Sequence, residues 1–223
     1  MPSKLIDGPS TEPISLSEAK THLRVDIDDD NSLILALITS ARQQAEHICR
    51  RAFISQQWMV TLDQFPRPGM NIGSANWYGP QWGDSPGPLT TLNPDKTTGY
   101  EIILPYAPLI SVDSITYVDT DGATQTLSSS LYKVDNISEP ARIMPAYGTT
   151  WPATRNEINA VQITLTAGWS NAASVPQPIK SWMLLRIAAM YENRESDMML
   201  TRGSVDSMPF VDQLLAPYRV ITY

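Results

Sequence analysis

The sequence predicts an α+β protein, in which N- and C-terminal segments form a helical bundle and an antiparallel β-sandwich or barrel-like domain is inserted between them. Apolar residues fall at helical spacing from Ser15 to Arg51 and again from Pro178 to Glu195. Between these stretches lie alternating segments rich in Val, Ile, Thr and Tyr. A period near 3.6 marks a helix with one buried face, and a period of two marks a half-buried strand. The chain therefore divides into an arm (1–14), a discontinuous helical domain (15–53 and 178–216), an inserted β domain (54–177) with a long loop at 66–99, and a tail (217–223).

The arm carries Pro2, Gly8, Pro9 and Pro13 and few apolar anchors, so it reads as an extended segment ordered by a neighbour. Ser15 with Glu18 forms a capping box, which starts a short helix running from Leu16 to about Arg24. Asp26, Asp28, Asp29 and Asp30 stand before a longer helix, where carboxylates suit free N–H groups and the positive end of the dipole. In that helix Ile34, Leu37, Ile38, Ala41, Ala45 and Ile48 share a face. Leu33 and Leu35 widen the apolar surface beyond the needs of one packing partner, which points to a second contact from another subunit.

Trp58, Val60 and Leu62 open the β region at period two. From Pro66 to Gly99 the chain is dense in Pro, Gly, Asn and Trp and holds no regular element; a loop of this length is functional or disordered. Strand patterns resume at 101–104, 114–118, 124–127, 132–134, 142–144 and 160–166, with Asp119-Thr-Asp-Gly122 as a tight hairpin connection. Pro178 suits the first position of the last long helix, where its missing N–H costs nothing. Ser196 to Ser207 reads as a mobile connection, Pro209 to Leu215 as a helical turn, and Pro217 to Tyr223 as an extended end.

With 42% apolar residues among 223, the chain can bury a core without disulfides. Sixteen basic against 23 acidic residues give a net charge of -7, which excludes a broad basic surface for gripping phosphates and leaves double-stranded DNA only in passage. The single cysteine, Cys49, forms no internal disulfide and suits a reducing compartment. No apolar run has the length of a bilayer span or a signal peptide, so the expectation is a protein made in the cytosol, with no membrane partner.

Catalytic signals are missing. His22 and His47 lie on helices without a nucleophile placed by a motif, and Gly168-Trp-Ser-Asn is not a nucleophile elbow. Two histidines and one cysteine do not compose a zinc site, and the aspartate run lacks the glycine and the later glutamate of a calcium loop. Glu192 with Glu195 reads as a solvated helix end near Arg186 and Arg194. The expectation is no enzyme, no cofactor and no metal. Among the tryptophans, Trp58, Trp151 and Trp169 follow strand patterns and read as core, whereas Trp77 and Trp82 are candidates for a partner surface. A carbohydrate-binding β module stacking those two rings on sugars is the alternative.

At Ile14-Ser-Leu-Ser-Glu-Ala-Lys-Thr-His-Leu-Arg-Val-Asp26, and again at Ala41-Arg-Gln-Gln-Ala-Glu-His-Ile-Cys-Arg-Arg-Ala-Phe53, the chain resembles the head-tail connector, or adaptor, proteins of tailed bacteriophages. The resemblance continues through Gln57-Trp58 with Leu62-Asp63, Pro108-Leu-Ile-Ser-Val-Asp-Ser-Ile-Thr-Tyr-Val-Asp-Thr-Asp-Gly122, Val175-Pro-Gln-Pro-Ile-Lys180, Tyr191-Glu-Asn-Arg-Glu195 and Leu214-Leu-Ala-Pro-Tyr-Arg219. The insertion from Pro66 to Gly99 departs from that pattern. The resemblance implies a virion protein that forms a homo-oligomeric ring, commonly a dodecamer, docked beneath the portal protein and carrying a neck or tail completion protein, assembled in the host cytoplasm. It also implies that Phe210 to Tyr223 engage the portal, which makes Phe210, Leu214, Leu215, Tyr218, Arg219, Val220 and Tyr223 candidate interface residues.

Overall fold

The computed structural model describes residues 1–66, 101–193, 211 and 213–220. The expected loop with Trp77 and Trp82, the connection at 196–207, and the candidates Phe210 and Tyr223 lie outside the described residues.

The helices form where the periodicity places them. Helix α1 spans Leu16–Leu23, and its start is the capping box: Ser15 Oγ accepts from the Glu18 N–H at 3.2 Å while the Glu18 carboxylate accepts from the Ser15 N–H at 2.8 Å. Helix α2 spans Asn31–Cys49 and buries Ile34, Ile38, Ala41 and Ala45, with Leu37 and Ile48 half-buried. Helix α3 spans Gln177–Glu192 and buries Ile179, Trp182, Met183 and Ile187. These residues, with Ala19 of α1, Phe53 and Ile54, make one helical core. Pro178 is the second residue of α3 rather than the first, still within the turn whose N–H groups have no helical partner.

The aspartates do not cap α2 as expected. Asp30 makes no side-chain hydrogen bond to the helix start; its carboxylate accepts from the Tyr191 hydroxyl of α3 instead. Asp28 Oδ1 accepts from Lys20 Nζ at 2.7 Å and from Asn31 Nδ2 at 3.1 Å. A local cap has given way to ties between helices.

The strands are β1 (Ser3–Asp7), β2 (Gln56–Leu62), β3 (Ile102–Ile103), β4 (Leu109–Val118), β5 (Thr124–Thr126), β6 (Tyr132–Asp135), β7 (Arg142–Pro145) and β8 (Val161–Ala167). They pair antiparallel in a five-stranded sheet, β1-β2-β8-β4-β5, and a three-stranded sheet, β3-β7-β6. The register aligns Val60 with Ile163 and Ile163 with Ile115, all fully buried, so one row of side chains crosses the larger sheet into the core. Ile102, Leu104 and Ile143 meet them from the smaller sheet and its flank, which gives the β region a core of its own.

Alternation sends the opposite row to the surface. There Asp113 accepts from Ser111 Oγ, Gln57 Nε2 and Thr166 Oγ1 at 2.7, 3.0 and 2.9 Å, and these bonds outweigh burial to hold its carboxyl below the ordinary value. The β4–β5 hairpin closes as its sequence requires, with Gly122 at φ +89° and its N–H on the Asp119 carbonyl.

The arm differs from expectation. Ser3–Asp7 lies along β2 of the same chain, with Ser3 opposite Val60 and Lys4 opposite Met59. All five side chains are exposed, so backbone pairing rather than burial orders it. The C-terminal residues also differ: Ala216–Tyr218 forms a 3-10 turn and the Val220 N–H donates to the Cys49 carbonyl at 2.9 Å, where an extended end was expected.

Candidate assembly interface

The last turn of α2 carries Glu46, His47, Cys49 and then Arg50, which ends the helix in the left-handed conformation at φ 54°. From there the chain crosses into the β region, and a groove of about 910 Å3 opens at the junction. Arg42, His47, Arg50, Arg51 and Arg219 supply its basic lining; Leu5, Pro9, Ile48, Trp58 and Tyr106 supply an apolar wall.

A buried polar network forms its floor. Arg42 donates from Nε to Glu12 at 2.8 Å and from Nη1 to Glu46 at 2.7 Å. Glu46 Oε1 accepts from the Phe53 N–H at 2.8 Å and from Gln56 Nε2 at 2.5 Å. Burial pushes the Glu46 carboxyl above its ordinary value despite these donors and the nearby guanidinium. Because Glu46 is on α2 while Phe53 and Gln56, two of its donors, lie on the following loop and β2, the network fixes how the helix meets the sheet.

Arg51 makes the second joint. Its guanidinium forks onto the Glu139 carboxylate, with Nη1 to Oε1 at 2.8 Å and Nη2 on Oε2, while Nε donates to the Tyr218 carbonyl at 2.5 Å. One side chain thus ties the end of α2, the β6–β7 connection and the C-terminal turn together. On the far wall Trp58 and Tyr106 stack with centroids 4.0 Å apart, and the Tyr106 hydroxyl and Ser3 Oγ share a hydrogen bond at 2.8 Å.

The C-terminal candidates divide. Leu215 is buried in the helical core, Leu214 and Tyr218 are half-buried beside it, Val220 is buried with its N–H on the Cys49 carbonyl, and Arg219 stands exposed at the groove. Trp58, Trp151 and Trp169 are half-buried, with Trp151 stacked on Phe65 at 4.9 Å and Trp169 tilted on Phe53 at 5.9 Å. Among the described residues no group of histidine, cysteine or carboxylate side chains could hold a metal, and no helix is long and apolar enough to cross a membrane. Leu35 is 48% exposed and Ile27, ahead of α2, is 58% exposed.

Sequence reasoning missed Glu12, Arg42, Glu46, Arg51 and Glu139. One signal was present: Arg42 falls between Ala41 and Ala45 on the apolar face of α2, four residues before a glutamate, and a charge in that place needs partners.

Comparison with known proteins agrees with the resemblance. Residues 13–69 match the model of the phage gp6-like head-tail connector protein family. No curated protein matches. Among solved structures, a chain from the neck of an empty GTA particle computed with C6 symmetry superposes at a TM-score of 0.71 with 20% identity, covering 100% of this chain and 97% of that one. A chain from the virion of a native gene transfer agent particle gives 0.69 at 19% identity with the same coverage. A chain from the neck of a native GTA particle computed with C12 symmetry gives 0.60 at 18%, covering 98% of this chain and 97% of that one. The chain is thus similar in sequence to the phage gp6-like head-tail connectors over residues 13–69, and over its whole length it has the fold of chains from the neck and virion of gene transfer agent particles.

Proposed function

We propose that this protein is a structural virion component, a ring-forming head-tail connector that docks on the portal protein, joins it to the neck or tail, and leaves a channel for DNA. The observation that carries this reading is the likeness along the full chain to a particle neck protein, helical and β parts together. The family match over the first two helices supports it independently. The twelvefold symmetry used for one of the similar necks supports a dodecamer. The architecture we assign is a helical bundle from both ends of the chain with an inserted β domain.

Such a protein works by association and has no catalytic step. Exposed Leu35 and Ile27 on the helical part are suited to burial between copies, since apolar area removed from water stabilises an interface at about 25 cal/mol per Å2. A net charge of -7 suits a bore through which DNA slides without adhering. Of the C-terminal residues, Arg219 with the half-buried Leu214 and Tyr218 is the surface offered to the portal, because Leu215 and Val220 are covered by the chain itself.

The test is electron microscopy and solution mass of the purified protein, alone and with its cognate portal. Closed rings on the portal are expected. A protein that forms no ring and binds neither portal nor tail components would overturn the reading.

A further inference from the structure

We propose that the basic groove at the end of α2 receives the α1–α2 loop of a neighbouring copy of this chain. This rests on the ring reading above and deepens it by naming the contact between subunits.

Among the described residues four arginines and His47 line the groove, with Glu46 as the one acid of that lining, in a chain that is acidic as a whole. Glu12 and Glu139 engage Arg42 and Arg51 from the same chain, and Arg219 and His47 remain exposed. The far wall offers Trp58 and Tyr106, and α2 adds Ile48. An occupant that fits must bring negative charge and an aliphatic side chain close together.

The loop ahead of α2 brings both. Asp26, Asp28 and Asp29 are exposed, and Ile27 projects between them into solvent. Lys20 engages Asp28, which leaves Asp26 and Asp29 as the charges turned outward. The loop around Ile137 also exposes an isoleucine between acids, but Arg142 and Arg51 hold its Asp135 and Glu139.

Placement favours the ring. Loop and groove sit at opposite ends of α2, which at 19 residues is about 28 Å long. Two different complementary patches at opposite ends of one subunit make a head-to-tail contact, the kind that closes a ring, whereas a twofold dimer would use one patch twice. Charge steers the encounter and fixes register, and the isoleucine against the aromatic wall excludes water.

The decisive experiment pairs Asp26→Cys with His47→Cys in one chain and oxidises the protein under ring-forming conditions. The native Cys49 is fully buried and does not compete. A ladder of covalent oligomers is expected on a denaturing gel, with no ladder from either single variant. Separately, H47E, and D26K with D29K, each raise the concentration for half-assembly by about tenfold or more, and the three changes together restore it to within about threefold. Circular dichroism confirms folding, and the cysteine pair decides the matter should a charge variant fail to fold. Wild-type rings by electron microscopy without a ladder would overturn this contact and leave the ring intact. Failure of the wild type to form rings, alone or on the portal, would remove both.

Discussion

Arg51 and Glu139, 88 residues apart in sequence, meet in a forked ion pair that joins the end of α2 to the β6–β7 connection. The fork uses both Nη atoms, and Nε is spent on the Tyr218 carbonyl. Arg51→Ala should therefore loosen three segments at once and cost about 1.5–3 kcal/mol, as for hydrogen bonds to a charged group. Arg51→Lys should recover only part of it, since an ammonium cannot reproduce a planar fork. Urea unfolding of both variants and of Glu139→Gln checks the order, with Glu139→Gln expected to be the mildest.

The carboxyls of Glu46 and Glu139 should give opposite pH dependences. The Arg51 hydrogen bonds hold Glu139 below its ordinary 4.5, so its contribution is present above that value and is lost as pH falls through the lower folded one. Burial holds Glu46 above 4.5, so its contribution is complete below 4.5 and is lost as pH rises through the raised folded value. Glu139→Gln should flatten the acid side of the stability profile. The advantage of the wild type over Glu46→Gln should shrink as pH rises from 4.5. Urea midpoints measured from about pH 3 to about pH 7 test both signs.

Leu215 is fully buried in the helical core although it lies near the C-terminus. Leu215→Ala should cost about 2–4 kcal/mol, the usual range for emptying a buried leucine site. Burial pushes the Cys49 thiol up to about 11, against the opposing influence of Arg51 and Arg219. At about pH 8 its thiolate fraction in the folded protein should be on the order of 100-fold below that of the unfolded chain. Alkylation should be correspondingly slow and should speed up in Leu215→Ala, because the segment that seats Leu215 also places the Val220 N–H on the Cys49 carbonyl.

Gly168 ends β8 at φ +120°, and a Cβ there would lie 2.3 Å from the Ile54 carbonyl oxygen. Both the backbone angle and the contact exclude a side chain, so Gly168→Ala should cost about 3 kcal/mol. The affected crossing includes the bond from the Ser55 N–H to the Trp169 carbonyl, and a blue or red shift of tryptophan fluorescence should accompany the loss.

Burial at a fixed period is what made the central elements legible. Ile115 and Ile163 alternate with polar neighbours because one face of the sheet is filled, and Ile34, Ile38, Ala41 and Ala45 repeat because one face of α2 is. Strand β1 escaped because none of its side chains is buried, leaving no pattern to read. Asp30 was misjudged because capping is local, whereas its actual donor, Tyr191, lies 161 residues away. Arg51 with Glu139 belongs to the same class. A charged residue beside a helix end says that a partner exists without saying which, and distant partners are chosen by the fold.

Helices α2 and α3 share a core but are separated in the chain by the β region, so closing that span carries a chain-entropy cost of about 4 kcal/mol for ~130 intervening residues. During synthesis α2 must wait, its oily stripe uncovered, until α3 leaves the ribosome, whereas the sheets have all their strands earlier. The helical half is therefore the last part to mature, and a nascent chain stalled before residue 177 is the species most in need of a chaperone.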